Sequence, residues 1–243
     1  MAHVHALVGG LPLPVQQRLE AQCEVVPLVR GQSLPTAGES RGHTYFVTAG
    51  LISILALTVD GATLELTSVA SGGVVGLPTI LRRSSTPHET VVQVSGEALR
   101  ISTEALRLVL EDSVALREAC TQYAGAVLSD IAQSTVCHHF HQLSERLCRW
   151  LLNASDRVHV ETLSLTHENL ARILGAPRTA VSAATSDLQE ADAIHCRRGS
   201  IALVNRRRLE ASACPCYAAT RDAFVLTPPP KDRRSRTAWP GRG

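Results

Sequence analysis

The sequence is short of most features that would mark a membrane, secreted or catalytic protein. No apolar run approaches the roughly 18 residues that a membrane span needs. No basic segment leads into an apolar one near the start, so no signal peptide is evident. Both absences predict a soluble chain working in a cytoplasm, with no membrane partner. The seven cysteines, at positions 23, 120, 137, 148, 196, 214 and 216, are odd in number and scattered. That is unlike a secreted disulfide framework, and it predicts reduced thiols. No nucleophile elbow, Walker loop or dinucleotide fingerprint is present, which argues against an enzyme. Lysine is nearly missing, Lys231 being the only one among 24 basic residues, a compositional bias to which no function attaches.

What is present divides along the chain. At 243 residues there is room for one large or two small domains with a sizeable core. Residues 1–156 carry 10 basic and 14 acidic side chains, net −4, whereas residues 157–243 carry 14 basic and 8 acidic, net +6. Only the second part is suited to meet a polyanion. Residues 11–24 read as a short amphipathic helix behind a proline-marked entry. From Val25 to Ile101, β-rich runs alternate with glycine turns: 45–47, 51–55, 63–67, 91–94 and 98–101, with Asp60-Gly61 as a hairpin signal. Short strands at this spacing predict a sandwich or jelly-roll barrel. A short helix starts at Thr103. A proline-free helical pattern then runs from about Val114 to Asn153, through Leu116, Cys120, Tyr123, Val127, Ile131, Leu143, Leu147, Trp150 and Leu151. A helix of about 35–40 residues would span about 50–60 Å, longer than a small domain is wide, and predicts pairing with a second copy of the chain.

A strand-like run, Arg157–Val160, precedes the stretch Leu165–Ile194, which reads as two helices around a tight turn. Thr166 can cap the first helix through its hydroxyl. Leu170, Ile173 and Leu174 give it an apolar face, and Ala171 allows close approach. Gly175 can adopt the left-handed helix end, and Pro177 fits the start of the next helix. The second helix would bury Val181, Ala184 and Leu188, leaving Arg178, Thr179, Ser182, Ala183 and Ser186 outside. Residues 193–204 then read as a hairpin with the basic tip Arg197-Arg198-Gly199-Ser200. This order is that of a winged helix-turn-helix, whose second helix reads base edges and whose wing touches phosphates. A last helix, Arg206 to Tyr217, carries Arg206–Arg208 as further phosphate contacts or a solvated face. From Thr227 the Pro- and Arg-rich tail predicts disorder.

A short-stranded barrel, long helix and winged helix-turn-helix in this order resemble the Crp/Fnr family of bacterial transcription regulators over roughly residues 15–210. The match is most specific where Leu170, Gly175, Arg178, Val181, Leu188 and Ile194 occupy the family's motif positions. The resemblance implies an α+β fold with an N-terminal β-barrel or jelly-roll sensor (1–112), a long dimerisation helix (113–154), a winged helix-turn-helix (155–217) and a disordered tail (218–243). It implies a homodimer on a two-fold symmetric double-stranded DNA operator, with RNA polymerase as a further partner and no cofactor. The DNA-binding set is Thr166, His167, Arg178, Thr179, Ser182, Ala183, Arg197 and Arg198. The family's recognition helix often reads Arg-Glu-Thr-Val-x-Arg; here Arg178 persists and can pair bidentately with guanine. Thr179 and Ala183 replace the glutamate and second arginine, so the operator should differ from the best-known one. In the cyclic-nucleotide cassette Gly72 and Gly76 match, but Leu77 replaces the ribose-binding glutamate and Glu89-Thr90 replaces the phosphate-binding Arg-Ser. The charge reversal predicts that cyclic AMP is not the signal. The N-terminal cysteines that hold an iron–sulfur centre in some relatives are missing, Cys23 standing alone.

Two other readings compete. A cupin-like metalloenzyme would need histidines converging from neighbouring strands, and the barrel offers only His43 and His88, far apart in sequence. A thiol- or metal-responsive regulator would use Cys137 and His141, four apart on one helix face. Two ligands per chain are few for a closed zinc site, so no metal site is assigned. Cys214-Pro215-Cys216 is tighter than the usual Cys-x-x-Cys and reads as structural.

Overall fold

The computed structural model describes residues 6–35, 42–76 and 88–221. Leu77 and the tail beyond Arg221 lie outside the described residues. Two short helices, α1 (Ala6–Gly9) and α2 (Leu13–Glu20), lead into an antiparallel sheet of β1 (Glu24–Leu28), β2 (His43–Leu57), β3 (Thr63–Ala70), β4 (Val74–Val75) and β5 (His88–Ser102). Strand order is β1-β5-β2-β3, with β4 also paired to β2. The sheet is open, so the jelly-roll description fits loosely.

The strand runs expected at 45–47 and 51–55 fuse into β2, and those at 91–94 and 98–101 fuse into β5, each fifteen residues long. The intervening glycines are absorbed as bulges: the β2–β5 register shifts at Val47/Ala49, Ala49/Leu51 and Leu51/Ile52. There the two backbones nearly touch. A Cβ on Gly96 would lie 2.1 Å from the Ala49 carbonyl oxygen, and Gly50 sits at φ 96°. Only glycine permits this approach. Alternation along β2 sends Tyr45, Val47 and Ile52 into one apolar cluster with Val69, Val92 and Ala98. Phe46 faces the other way, onto Val74, Ile101 and the helices that follow.

Those helices are α3 (Thr103–Asp112), α4 (Val114–Phe140) and α5 (Leu143–Val158). Ser102 and Ser113 cap α3 and α4, their hydroxyls accepting from the Ala105 and Leu116 N–H groups. The single helix expected over 114–153 is therefore two. His141 leaves the helix at φ −116°, ψ 147°, and the Gln142 N–H donates to the Glu145 carboxylate at 2.8 Å. This Gln-x-x-Glu start signal competes with continuation, and the apolar pattern alone does not reveal it. At 27 residues, α4 spans about 40 Å.

Beyond α5 come β6 (Thr162–Leu163), α6 (His167–Leu174), α7 (Arg178–Glu190), β7 (Ile194–Arg197), β8 (Ser200–Leu203), α8 (Arg206–Ser212) and α9 (Cys216–Arg221). The strand expected at 157–160 is instead the end of α5, closed by His159 in the left-handed conformation at φ 55°. The helix expected over 206–217 is interrupted before Cys216. Pro215 disfavours helical backbone at the residue before it and offers no N–H. Strands β6, β8 and β7 form a three-stranded sheet in that order. Leu147 and Leu151 of α5, Leu170 and Leu174 of α6, Val181 and Leu188 of α7, and Ile194, Ile201 and Leu203 of the hairpin share one core, which Leu51 of β2 also joins. Among the described residues, no helix is long and apolar enough to cross a membrane.

Candidate nucleic-acid interface

The two-helix unit is built from local signals. The Thr166 hydroxyl accepts from the Asn169 backbone N–H at 3.1 Å, and the Asn169 side-chain Oδ1 accepts from the Thr166 N–H at 3.1 Å, a reciprocal cap. Gly175 ends α6 at φ 59°, ψ 45°, and Arg146 of α5 donates to the Leu174 carbonyl at 3.1 Å. Pro177 then opens α7 at φ −57° with no side-chain cap. The first-turn N–H groups of α7 are thus left without a capping acceptor, beside exposed Arg178. A helix N-terminus in that condition favours an anion such as phosphate.

Opposite it stands the β7–β8 hairpin, turning at Gly199 with φ 75°. Between them runs a groove of about 560 Å³ lined by Thr166, His167, Arg178, Arg197, Arg198 and Ser200, among others. Five of the eight sequence-assigned residues therefore share one concavity. The other three lie on α7: Thr179 and Ala183 are exposed, and Ser182 is half-buried. Ser182 does not stand alone, because its hydroxyl meets His167 Nδ1 at 2.9 Å, while Thr185 Oγ1 lies 3.3 Å from Nε2 of the same ring. His167 thus locks α6 to α7. The Thr166 hydroxyl is likewise committed to the cap.

The arginines sort by their partners. Among the described residues, Arg178 and Arg198 make no hydrogen bond or ion pair, and Arg197 donates only to His195, at 3.3 Å. Arg206 is consumed internally: it reaches Asp156 at 2.6 Å, Tyr217 Oη at 2.6 Å and Glu210 at 2.8 Å. Arg208 is held by the Ala191 carbonyl and Asp192. Of the triple arginine, Arg207 alone makes no such contact among the described residues.

The N-terminal sheet reaches this unit directly. Glu89 of β5 pairs with Arg172 of α6 at 2.5 Å, and Thr63 Oγ1 donates to the Arg172 carbonyl at 3.0 Å. A Cβ on Gly175 would lie 2.7 Å from Leu64 Cδ1. Deeper in, Trp150 of α5 donates its indole N–H to buried Glu65 at 2.8 Å, and Ser53 donates to the other carboxylate oxygen. Burial raises the Glu65 pKa, opposed by those two hydrogen bonds. Arg157 donates to the Ser68 carbonyl at 2.8 Å, and Thr67 donates to Asp130 of α4 at 2.7 Å. Sequence reasoning missed this network, because apart from Ser53 and Glu65 its partners lie more than 60 residues apart and no local pattern joins them.

The remaining candidates fall elsewhere. His43 and His88 sit at opposite ends of the β2–β5 pairing, opposite Ser102 and Ala56 respectively, so they cannot converge on one ion. Cys137 and His141 come together with Cys214 and Cys216, all four ligand atoms within 4.8 Å of one another. The Cys214 thiol is lowered to about 6, chiefly through its hydrogen bond with Cys137.

Comparison with known proteins accords with this geometry. A cyclic nucleotide-binding domain model matches residues 25–113, and a Crp-like helix-turn-helix domain model matches residues 145–212. The chain belongs to the Crp/Fnr family. It is a DNA-binding transcription regulator of the Crp/Fnr type rather than an enzyme. Solved structures share this regulator's fold. A putative Crp/Fnr-family transcriptional regulator from Eubacterium rectale is 18% identical, with a TM-score of 0.69, covering 85% of this chain and 96% of that one. FixK2 of Bradyrhizobium japonicum is also 18% identical, with a TM-score of 0.66 and coverage of 79% and 98%. The c-di-GMP-responsive regulator CLP of Xanthomonas campestris is 20% identical, with a TM-score of 0.65 and coverage of 79% and 99%. No curated protein sequence matches this Crp/Fnr regulator.

Proposed function

We propose that this regulator works as a homodimer on a two-fold symmetric operator, and that its signal is not cyclic AMP. The observation that carries the DNA assignment is the groove between α7 and the hairpin. There, Arg178 and Arg198 project without internal partners beside an uncapped helix N-terminus. Arg178 reads a guanine, Thr179 and Ser182 add short polar contacts, and Ala183 lets the helix approach closely. His167 and Thr166 support the reading helix, and Arg197 and Arg198 grip phosphates.

The homodimer rests on the outer face of α4. Thr121, Gly125, Leu128, Ala132, Thr135 and His139 are all exposed and follow one another at alternating spacings of four and three. That is the seam spacing of a two-stranded coiled coil. Leu128 is 67% and Phe140 72% exposed, which is costly unless a second copy covers them. The unit boundaries follow: sensor 1–112, helical connector 113–154, DNA reader 155–217 and tail 218–243. RNA polymerase is the further partner of the assembled regulator.

Against cyclic AMP stands Glu89, which is engaged with Arg172 of the DNA reader where the resemblance calls for a phosphate-binding arginine. A carboxylate there repels a cyclic phosphate, and recruiting it would also break a sensor–reader contact. A signal that alters the β2–β3 hairpin would shift α6 through Arg172 and Gly175, and with it the spacing of two recognition helices about one DNA turn apart.

Selection of binding sites from random DNA, followed by footprinting, tests this. A palindromic site is expected, and Arg178→Ala should weaken each half-site by about 1–3 kcal/mol, roughly 5- to 150-fold. Protection without dyad symmetry, or protection indifferent to Arg178→Ala, would refute the reading. Cyclic AMP should leave the affinity unchanged; a rise on its addition would restore it as the signal.

A further inference from the structure

The fold completes a metal-ligand set that the sequence splits between two distant segments. Cys137 lies in the last turn of α4, and His141 is the residue that closes the helix, its N–H still donating to the Cys137 carbonyl at 3.1 Å. Far along the chain, 77 residues after Cys137, Cys214 and Cys216 flank Pro215 just before and at the start of α9. Cys137 Sγ and Cys214 Sγ stand 3.4 Å apart, and Cys216 Sγ and His141 Nδ1 stand 3.6 Å apart. All four ligand atoms fall within 4.8 Å of one another, and the three cysteines are buried. We propose that Cys137, His141, Cys214 and Cys216 form a tetrahedral Cys3His site for zinc(II), fastening the end of α4 to the end of the DNA-reading unit.

The separations fit the ion. Zinc–sulfur bonds of about 2.3 Å and zinc–nitrogen bonds of about 2.1 Å at tetrahedral angles place sulfurs about 3.8 Å apart and sulfur and nitrogen about 3.6 Å apart. A disulfide would need about 2.05 Å between sulfurs, and no cysteine forms one in this structure. An iron–sulfur cluster holds its thiolates wider apart than these groups lie. Three soft thiolates and one imidazole form a closed, structural donor set with no open position for catalysis.

The surroundings suit a bound cation–thiolate complex as well. Gln133 donates its side-chain N–H to Cys216 Sγ at 3.0 Å, the outer contact that orients a ligating sulfur. Zinc(II) with three thiolates and a neutral imidazole carries a net charge of minus one. Arg149 is 8% exposed, and among the described residues no carboxylate pairs with it. Its charge acts on both Cys137 and Cys214. A buried guanidinium without an acid partner is costly, and a complex of opposite charge beside it removes that cost. On binding, three thiol protons leave to solvent as three Zn–S bonds form.

The site has a consequence for regulation that rests on the DNA-reader assignment. It bridges the break between α4 and α5 to the chain beyond α8, so occupancy fixes the angle between the connector and the reader. Chelation, or oxidation of the thiols, would free it.

The test uses the full chain, expressed with zinc and purified under reducing conditions. Elemental analysis should find about one zinc per chain. A strong chelator should remove it. Cobalt(II) added to the stripped protein should then give thiolate-to-metal charge-transfer absorption and the intense ligand-field bands of a tetrahedral site. Cys214→Ser and Cys216→Ser should each abolish stoichiometric retention, while Cys196→Ser keeps it. Because a cysteine variant can simply misfold, the cobalt spectrum of the unaltered chain decides independently. Substoichiometric zinc with no tetrahedral cobalt spectrum would overturn the proposal. So would zinc retained unchanged in Cys214→Ser, or protein that comes through the reducing purification without zinc and two hydrogens lighter through a Cys137–Cys214 disulfide. Footprinting of the same stripped sample keeps the outcomes separate, since loss of the metal proposal leaves operator protection by Arg178 untouched.

Discussion

Glu65 offers a sharp test of the junction between the N-terminal sheet and the helices behind it, because its carboxyl is buried between β3 and α5 and carries two hydrogen bonds. Replacement by glutamine preserves both: the amide oxygen still accepts from Trp150, and the amide N–H donates to Ser53. What changes is titration. The carboxyl pKa is raised from its ordinary 4.5 by burial, against the Ser53 and Trp150 hydrogen bonds and the Arg157 charge, which pull it down. Below the ordinary value the carboxyl is protonated in both folded and unfolded chains, and Glu65→Gln should match the native protein within about 1 kcal/mol. As pH rises past that value the unfolded chain releases its proton while the folded chain keeps it. The folded state then binds more protons, so native stability falls with pH until the folded pKa is passed. The slope from one such group is at most about 1.4 kcal/mol per pH unit. Glutamine has no such slope, so the variant should gain on the native protein progressively above about pH 4.5 and then plateau. Glu65→Ala, by contrast, strands the Trp150 N–H and opens a cavity, and should cost about 2–4 kcal/mol. Urea unfolding followed by tryptophan fluorescence from pH 4 to 9 reads all three chains. A difference between native and Glu65→Gln that is flat with pH, or that favours the native protein as pH rises, would refute the reasoning.

Two further outcomes separate structural from reading residues. Arg206→Ala, which cuts the ties to Asp156, Glu210 and Tyr217, should lower stability by about 1 kcal/mol, half-exposure limiting the loss. Arg198→Ala should leave stability within about 0.5 kcal/mol; it should weaken binding to all sequences alike and reduce the salt-dependence slope by about one. Equal effects of the two on melting and on DNA affinity would undo that sorting. Gly175→Ala combines a left-handed backbone with a Cβ 2.7 Å from Leu64 Cδ1, and should cost about 1–2 kcal/mol in thermal unfolding. Adding Leu64→Ala should return part of that loss, and additive losses in the double variant would deny the contact.

The parts whose signals are local could be read from the residues alone. The Thr166 cap, the Gly175 stop and the apolar positions Leu170, Val181 and Leu188 specify the two helices, since each acts within a turn or two of backbone. The glycine-punctuated β runs specified a sheet, though not that Gly50 and Gly96 would fuse four runs into two bulged strands. That depends on two backbones meeting across the sheet. The Gln142-x-x-Glu145 start was present in the sequence but hidden inside a continuous apolar pattern. Arg178 and Arg198 were recognisable as candidates from position alone. Only tertiary structure separated them from Arg206, because a free and a consumed guanidinium differ in what lies opposite them. The same holds for Glu89 on Arg172, Glu65 on Trp150 and Cys214 beside Cys137. Contacts between residues 60 or more positions apart leave no periodic trace in a single chain. The reading helix was therefore encoded locally, while the contact of its unit with the N-terminal sheet and the four-residue cluster between α4 and α9 were decided by packing.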